Sequence, residues 1–209
     1  MSEADTPSFD LFDAMYHCRA MRKLHPTEVP EAMLVKLIDA ALQAPSGSNT
    51  QDARWVVVRD AEQKARLAAL NRKFAEPYIA PALKNPSSDK QRRMLSAVQW
   101  QMDHMHEVPA LVVACFNYPE PVEGLGVYRS AGSVWPGVQN LLLAARAMGL
   151  GAAPTTLALR DQAAVREVLN LPETFAALCL IPVGYPMGKF GPVSRRPIEE
   201  VMRFDRWSD

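Results

Sequence analysis

The sequence predicts an α/β sandwich in which helices cover both faces of a mixed β-sheet. Stretches with apolar residues three and four positions apart interleave with short β-branched runs, and the helical stretches outnumber the strands. The chain of 209 residues has neither internal repeats nor low-complexity segments, and it is long enough to bury a sizeable core. We therefore expect residues 1–209 to form a single domain.

The predicted helices carry capping signals at their first turns. Ser8 and Asp161 can accept hydrogen bonds from helix N–H groups, and Pro30 followed by Glu31 suits the start of a helix. The helix that follows Pro30 has a clear apolar stripe. Further helices are expected at 62–75, 91–107 and 133–148. The last of these is apolar nearly all round, which indicates a buried helix.

Four apolar, mostly β-branched runs predict strands, at 54–58, 110–116, 152–157 and 176–184. The segment 76–90 contains Pro77, Pro81 and Pro86, and proline removes hydrogen bonds from a helix interior. We therefore expect this segment to be an irregular excursion on the surface.

The composition argues against nucleic acid and membrane partners. Lys+Arg and Asp+Glu number 23 each, so the formal net charge is zero. No apolar run approaches the roughly 20 residues that cross a bilayer, and the N-terminus lacks a signal-peptide pattern. Cys18, Cys115 and Cys179 are far apart, which predicts free thiols in a cytoplasmic protein.

Two polar stretches are candidates for ligand binding, and each has an ordinary structural explanation. The loop 44–51 has small polar side chains and exposed N–H groups that suit a flat polar ligand, but such residues are also common in turns. Arg19 and Arg22 can converge on one anion, or they can form a solvated basic surface.

The remaining features point to a cofactor and a partner subunit. His104 and His106 are too few for a metal site, so no metal is expected. The usual signatures of phosphate loops, dinucleotide folds, nucleophile elbows and zinc proteases do not occur, which indicates chemistry carried by a cofactor. Residues 185–209, called here the C-terminal arm, are irregular yet apolar, which predicts docking on a second subunit.

Several stretches, in order along the chain, resemble the FMN-dependent nitroreductase family, and together they extend from about residue 15 to the end. They are Arg19-Ala20-Met21-Arg22, Val29-Pro30, Ala40-Ala41, the loop 44–51, the stretch 138–146 with Gly149-Leu150-Gly151, Pro182-Val183-Gly184-Tyr185-Pro186, and Arg195-Arg196-Pro197.

The resemblance implies an α+β fold, a nitroreductase-like three-layer sandwich whose mixed sheet is mainly antiparallel. It implies a homodimer that exchanges C-terminal arms and binds FMN at the subunit interface. NADH or NADPH would serve as electron donor, and hydride would pass through flavin N5 to a nitroaromatic, quinone or similar small-molecule acceptor in a ping-pong cycle. No catalytic side chain is required, because the flavin carries the chemistry.

The resemblance also implies cofactor contacts for individual residues. The residues that match the motifs around the FMN phosphate and ribityl chain are Arg19, Ala20, Arg22, Arg195 and Arg196. The loop that reaches the flavin from the partner subunit corresponds to Ser46, Ser48, Asn49 and Gln51. A short strand beside flavin N5 corresponds to Pro154, Thr155 and Thr156, and His104 falls near a polar position that faces the pyrimidine. The substrate pocket is expected to form from the segments 74–90 and 119–128.

The chain departs from the family pattern at two places. Many members have Arg-Arg-Ser where this chain has Cys18-Arg19-Ala20, so one cation and one hydroxyl must be replaced from elsewhere. The stretch Gln51-Asp52-Ala53-Arg54-Trp55 stands where Gln-Pro-Trp is common.

Other activities stay open. The family also includes flavin-fragmenting benzimidazole synthases, reductive dehalogenases and azoline dehydrogenases. A flavin-binding carrier or sensor without turnover, or a partner-binding scaffold, is a further alternative, because the chain has an apolar C-terminal arm and no acid/base constellation.

Overall fold

A four-stranded antiparallel sheet forms the centre of the computed structural model, which describes residues 10–121 and 131–207. Its strands are β1 (Ala53–Val58), β2 (Ala110–Asn117), β3 (Gly151–Ala152) and β4 (Phe175–Gly184), in the spatial order β1-β2-β4-β3. The helices are α1 (Leu11–His17), α2 (Glu31–Leu42), α3 (Ala61–Lys84), α4 (Asp89–His104), α5 (Trp135–Ala147) and α6 (Gln162–Leu169). All three strand pairings in the described part of the chain are antiparallel.

Strand β2 lies inside the sheet and is buried on both faces. Ala110, Val112 and Ala114 pack in one core with α2 and α5, whereas Leu111 and Val113 pack in a second core with α3 and α6. Successive side chains of a strand point to opposite faces, so one strand can supply both cores. Helices on both faces of the sheet confirm the predicted three-layer α+β sandwich.

A β-bulge in β4 sets the face that each of its residues presents. Ala114 of β2 pairs with Cys179 and Cys115 pairs with Ala177, which leaves Leu178 unpaired. Leu178 and Cys179 therefore both pack in the core of α2 and α5, and the alternation then resumes.

Helix α3 is longer than the sequence indicates. It continues through Pro77 and Pro81, so the expectation of an irregular excursion is wrong for this part of the chain. Ile79 lies between Pro77 and Pro81, is 1% exposed and packs with Leu95 and Met102 of α4. This burial offsets the two backbone hydrogen bonds that the prolines remove.

The other elements follow the predictions closely, with three differences. The Asp10 carboxylate caps α1 by accepting a hydrogen bond from the Asp13 N–H at 2.8 Å, and the predicted cap Ser8 lies outside the described residues. Helix α5 is not buried all round, because Trp135 is 41% exposed and Gln139 is also exposed. The predicted strand 152–157 is reduced to β3 and one isolated pairing of Thr155 with Leu180.

The described part of the C-terminal arm, residues 185–207, contains one short 3₁₀ turn at Ile198–Glu200. Phe204 is 82% exposed and Trp207 is 64% exposed, so these rings find little cover within one chain. Among the helices of the described residues, none combines the length and apolarity that crossing a membrane requires.

Gly151 lets the segment 18–25 approach the sheet closely. A Cβ atom at this position would lie 2.8 Å from both Met21 Cβ and Leu24 Cδ2, closer than van der Waals contact allows. The glycine therefore sets the position of the residues that carry the predicted basic motif.

We expect Gly151→Ala to lower the free energy of unfolding by about 1–3 kcal/mol, because the added methyl group overpacks this contact. Gly132→Ala is the matched control, since its added methyl group would meet no atom within 4 Å. Thermal unfolding by calorimetry measures both variants, and equal Tm values would contradict the close contact at Gly151.

Candidate functional site

The basic segment 18–25 is held by backbone hydrogen bonds on two sides. The Met21 N–H donates to the Ala152 carbonyl of β3 at 3.1 Å, and the Lys23 carbonyl accepts a hydrogen bond from the Met187 N–H at 3.0 Å. Met21 and Leu24 are buried. Arg19 is exposed and Arg22 is half-buried, so the anchored backbone presents both cations at the surface.

Three arginines from distant parts of the chain line one cleft of about 240 Å³, called here the arginine cleft. Arg19 belongs to the basic segment, Arg146 to the last turn of α5 and Arg195 to the C-terminal arm. The Cys18 thiol and the Gln139 amide also line this cleft. Guanidinium groups that converge on a concave surface suit a phosphate or a similar anion.

Arg146 is held between two neighbours in this cleft. Its guanidinium carbon lies 4.4 Å from the centroid of the Phe190 ring, and its Nη2 atom lies 3.6 Å from Asp13 Oδ2. Its side chain is 16% exposed. The stacked ring and the carboxylate together restrict where the guanidinium can point.

The Cys18 thiol is half-buried and donates a long hydrogen bond to the Leu142 carbonyl at 3.6 Å. Burial raises the pKa of this thiol, and the positive charges of Arg146 and Arg195 offset that rise only in part. The thiol is therefore neutral at pH 7.

A second cleft, of about 270 Å³, adjoins the first through Arg19 and Ala20. Its cations are Arg19, Arg22, Lys23 and Lys189. Burial lowers the pKa of Arg22, but an arginine in a protein keeps its charge. The two clefts thus form one continuous positive surface.

The structure brings part of the predicted site together. The predicted residues around the arginine cleft are Arg19, Ala20, Pro154 and Arg195, while Arg22 lines the adjoining cleft. Arg196 is exposed and lines neither of these two clefts.

Sequence reasoning missed the contribution of α5. Gln139, Leu142 and Arg146 are three and four residues apart, so they share one face of the helix, and that face lines the cleft. Gln139 and Arg146 are polar residues on one face of a mostly apolar helix, and this pattern in the sequence could have indicated a binding role for that face.

Thr155 is fixed beside the arginine cleft by several hydrogen bonds. Its N–H and carbonyl pair with Leu180 at 2.8 and 2.9 Å. Its hydroxyl donates to the side-chain oxygen of the buried Asn71 at 3.3 Å. Pro154 and Thr156, on either side of it, are exposed. This rigid stretch forms one border of the cleft.

The predicted loop residues lie elsewhere in the same chain. Ser48, Asn49 and Gln51 have positive φ angles of 50°, 55° and 54° and are exposed. The Gly47 N–H donates to the Ser133 hydroxyl at 3.1 Å, just before the start of α5, whereas the arginine cleft is lined by α5 residues between Gln139 and Arg146. Along the helix axis, Ser133 lies about 9 Å from Gln139, the first residue of α5 that lines the cleft, and about 20 Å from Arg146.

His104 also lies apart from the lining of the arginine cleft. Its ring stacks on Trp100 with the centroids 4.4 Å apart, and its Nδ1 atom lies 3.0 Å from Glu107 Oε2. Of the predicted substrate segments, 74–84 belongs to α3, and residues 122–128 lie outside the described residues.

We expect Cys18 to react with iodoacetamide more slowly than a free thiol at neutral pH, because the thiolate is the reactive form and burial raises its pKa. The reaction rate should rise with pH, with a midpoint above that of free cysteine. Burial raises the pKa of Cys115 and Cys179 to about 12, so both should stay unmodified in the folded protein. Peptide mass spectrometry over a pH series measures all three, and a Cys18 midpoint below that of free cysteine would contradict the burial effect.

Comparison with known proteins identifies the family. The model of the Nitroreductase family matches residues 17–185. An NADH dehydrogenase from Thermus thermophilus is 30% identical over 211 residues, which cover 96% of this chain and 98% of that protein. A 4-nitrobenzoate reductase from Pseudomonas putida is 25% identical over 194 residues, which cover 84% of this chain and 86% of that protein.

The fold comparison agrees. The crystal structure of oxidized iodotyrosine deiodinase bound to FMN and 3-iodo-L-tyrosine superposes with a TM-score of 0.74 at 24% identity, covering 95% of this chain and 100% of that one. At this identity the likeness shows the fold alone. Because the family model covers most of the chain, the chain belongs to the nitroreductase family.

Proposed function

We propose that this protein is an FMN-dependent oxidoreductase that takes electrons from NADH or NADPH and reduces a nitroaromatic, quinone or similar small-molecule acceptor. The observation that carries the proposal is the convergence of Arg19 and Arg195 on one cleft in a chain of the nitroreductase family. These two residues match the phosphate motifs of the family, although they lie at opposite ends of the chain. The relatives that reduce nitrobenzoate or oxidise NADH support this class of reaction.

The chemistry of the arginine cleft fits FMN. A phosphate monoester carries close to two negative charges at pH 7, and guanidinium groups bind it through paired, charge-assisted hydrogen bonds. Arg19 and Arg195 would hold the phosphate, and Arg22 and Arg196 would strengthen the field around it. Pro154, Thr155 and Thr156 would border the ring system, where the hydrogen bonds to Asn71 and Leu180 keep that stretch rigid. Bound FMN would supply hydride transfer between the nicotinamide donor and the acceptor.

We also propose a homodimer in which each cleft is completed by the partner subunit. Large apolar side chains are exposed on α1, α2 and α5, among them Phe12, Leu42 and Trp135. Exposed apolar surface of this extent is typical of a subunit interface. The apolar C-terminal arm would dock in the groove of about 530 Å³ between α2 and the edge strand β1, which is lined by Val35, Ile38 and Val57.

The loop residues Ser48, Asn49 and Gln51 would serve the partner's cleft. They do not line the arginine cleft of their own chain, and three non-glycine residues in left-handed conformations are costly. Such strain is common where side chains are held ready for a ligand. The free thiols Cys18, Cys115 and Cys179 fit a reducing compartment, so the proposal includes a cytoplasmic location.

The absorbance spectrum of purified protein with FMN, before and after anaerobic addition of NADPH or NADH, tests the reaction. We expect the flavin absorbance to bleach and to return on addition of menadione or 4-nitrobenzoate. Protein that binds no FMN would overturn the proposal. Bound FMN that neither nucleotide reduces would support the carrier or sensor alternative, and loss of FMN itself under oxygen would support a flavin-fragmenting enzyme.

Mixing two inactive variants tests the shared site. If Arg19 and Asn49 of different subunits form one cleft, a mixed dimer of Arg19→Gln and Asn49→Ala has one intact site and one doubly altered site. Subunit exchange makes about half of the dimers mixed, so about one site in four is intact. We expect FMN binding and turnover to recover to that fraction in the mixture. Each variant treated alone by the same exchange procedure is the control, and a mixture that gains nothing would contradict a site built from two subunits.

A further inference from the structure

We propose that Arg146 binds the phosphate group of FMN and makes the protein select FMN over unphosphorylated flavin. The inference rests on the proposed FMN site and adds to it a binding residue from α5 to which the sequence analysis assigns no role.

The position of Arg146 suits this role. It lines the same cleft as Arg19 and Arg195, and each of the three comes from a different part of the chain. The Phe190 ring, 4.4 Å from its guanidinium carbon, supports one face of the planar group. A supported guanidinium loses little side-chain freedom when an anion binds.

The contact between Arg146 and Asp13 is loose enough to exchange. The Nη2 and Oδ2 atoms are 3.6 Å apart, which exceeds the length of a charge-assisted hydrogen bond. Asp13 also has a second partner, because its Oδ1 atom lies 3.0 Å from His17 Nδ1. When a phosphate takes the place of Asp13 at Arg146, the carboxylate keeps the contact with His17.

The charge around the cleft fits a phosphate monoester. Three guanidinium groups line the cleft, none of its described lining residues is acidic, and the Asp13 carboxylate contacts Arg146. The surplus of positive charge matches the charge of about −1.5 to −2 on a phosphate monoester. Arg146 and Arg195 both lower the pKa of Cys18, so both guanidinium groups act on the same point in the cleft.

The test compares dissociation constants of FMN and riboflavin, measured by flavin fluorescence with the apoprotein. The two ligands differ only in the phosphate, so the ratio of their Kd values isolates the phosphate contact. We expect Arg146→Gln to raise the Kd of FMN about 10- to 100-fold and to leave the Kd of riboflavin unchanged. The Kd of FMN for Arg146→Lys should lie between the values for wild type and Arg146→Gln, because lysine keeps the charge but lacks the planar guanidinium group.

Arg160→Gln is the matched control. The Arg160 guanidinium also lies over an aromatic ring, that of Phe74 at 5.4 Å, but it does not line the arginine cleft. This variant should leave both Kd values unchanged. Asp13→Asn should lower the Kd of FMN and leave that of riboflavin unchanged, because it removes the carboxylate that competes for Arg146. If Arg146→Gln does not fold, the Asp13→Asn variant tests the role of Arg146.

The outcomes separate this inference from the proposed function. Wild-type protein that binds neither flavin would overturn the proposed function. Wild-type protein that prefers FMN, with an equally strong preference in Arg146→Gln, would overturn the role of Arg146 alone. An Asp13→Asn variant with an unchanged preference would likewise overturn it.

Discussion

Three guanidinium groups that share one cleft repel one another, and the surrounding structure holds them in place against that repulsion. Water around the exposed Arg19 and Arg195 screens part of this repulsion. The backbone hydrogen bonds of Met21 and Lys23 anchor the segment that carries Arg19, and the Phe190 ring supports Arg146. An anion bound in this cleft would be attracted by all three guanidinium groups, so the arrangement favours an anionic ligand.

The core determines where these charged segments meet. Strand β2 is buried on both faces and therefore joins the two helical layers into one rigid body. Strand β3 lies beside β4, and Gly151 lets the basic segment approach it to within van der Waals contact. Helix α5 packs on the same sheet and brings Arg146 to the same point. The packing of the sheet and of α5 thus sets where the cations lie relative to one another.

The proposed second subunit accounts for features that a single chain leaves unexplained. Exposed aromatic side chains on α1 and in the C-terminal arm lack cover in one chain, and the loop at Ser48 and Asn49 is strained and exposed. A dimer that buries the exposed aromatic side chains and places the strained loop in the partner's cleft would explain both features. Under this proposal, folding and function depend on the same interface.

Local residue patterns predict the order of the helices and strands and the positions of the basic motifs. Apolar periodicity marks α2, and the Asp161 carboxylate accepts the Ala164 N–H as its position predicts, because both depend on residues close in the chain. The convergence of Arg19 with Arg195 followed only from the family resemblance, since no local pattern connects them.

The length of α3 and the composition of the arginine cleft depend on contacts between residues far apart in the chain. Helix α3 continues through Pro77 because Ile79 is buried against α4, and no local propensity records that contact. In the sequence, Arg146 ends the family-like stretch 138–146 and has no assigned role. It becomes part of a binding cleft because packing brings Phe190, Asp13 and Cys18 beside it, and a cluster of this kind depends on contacts between residues far apart in the chain.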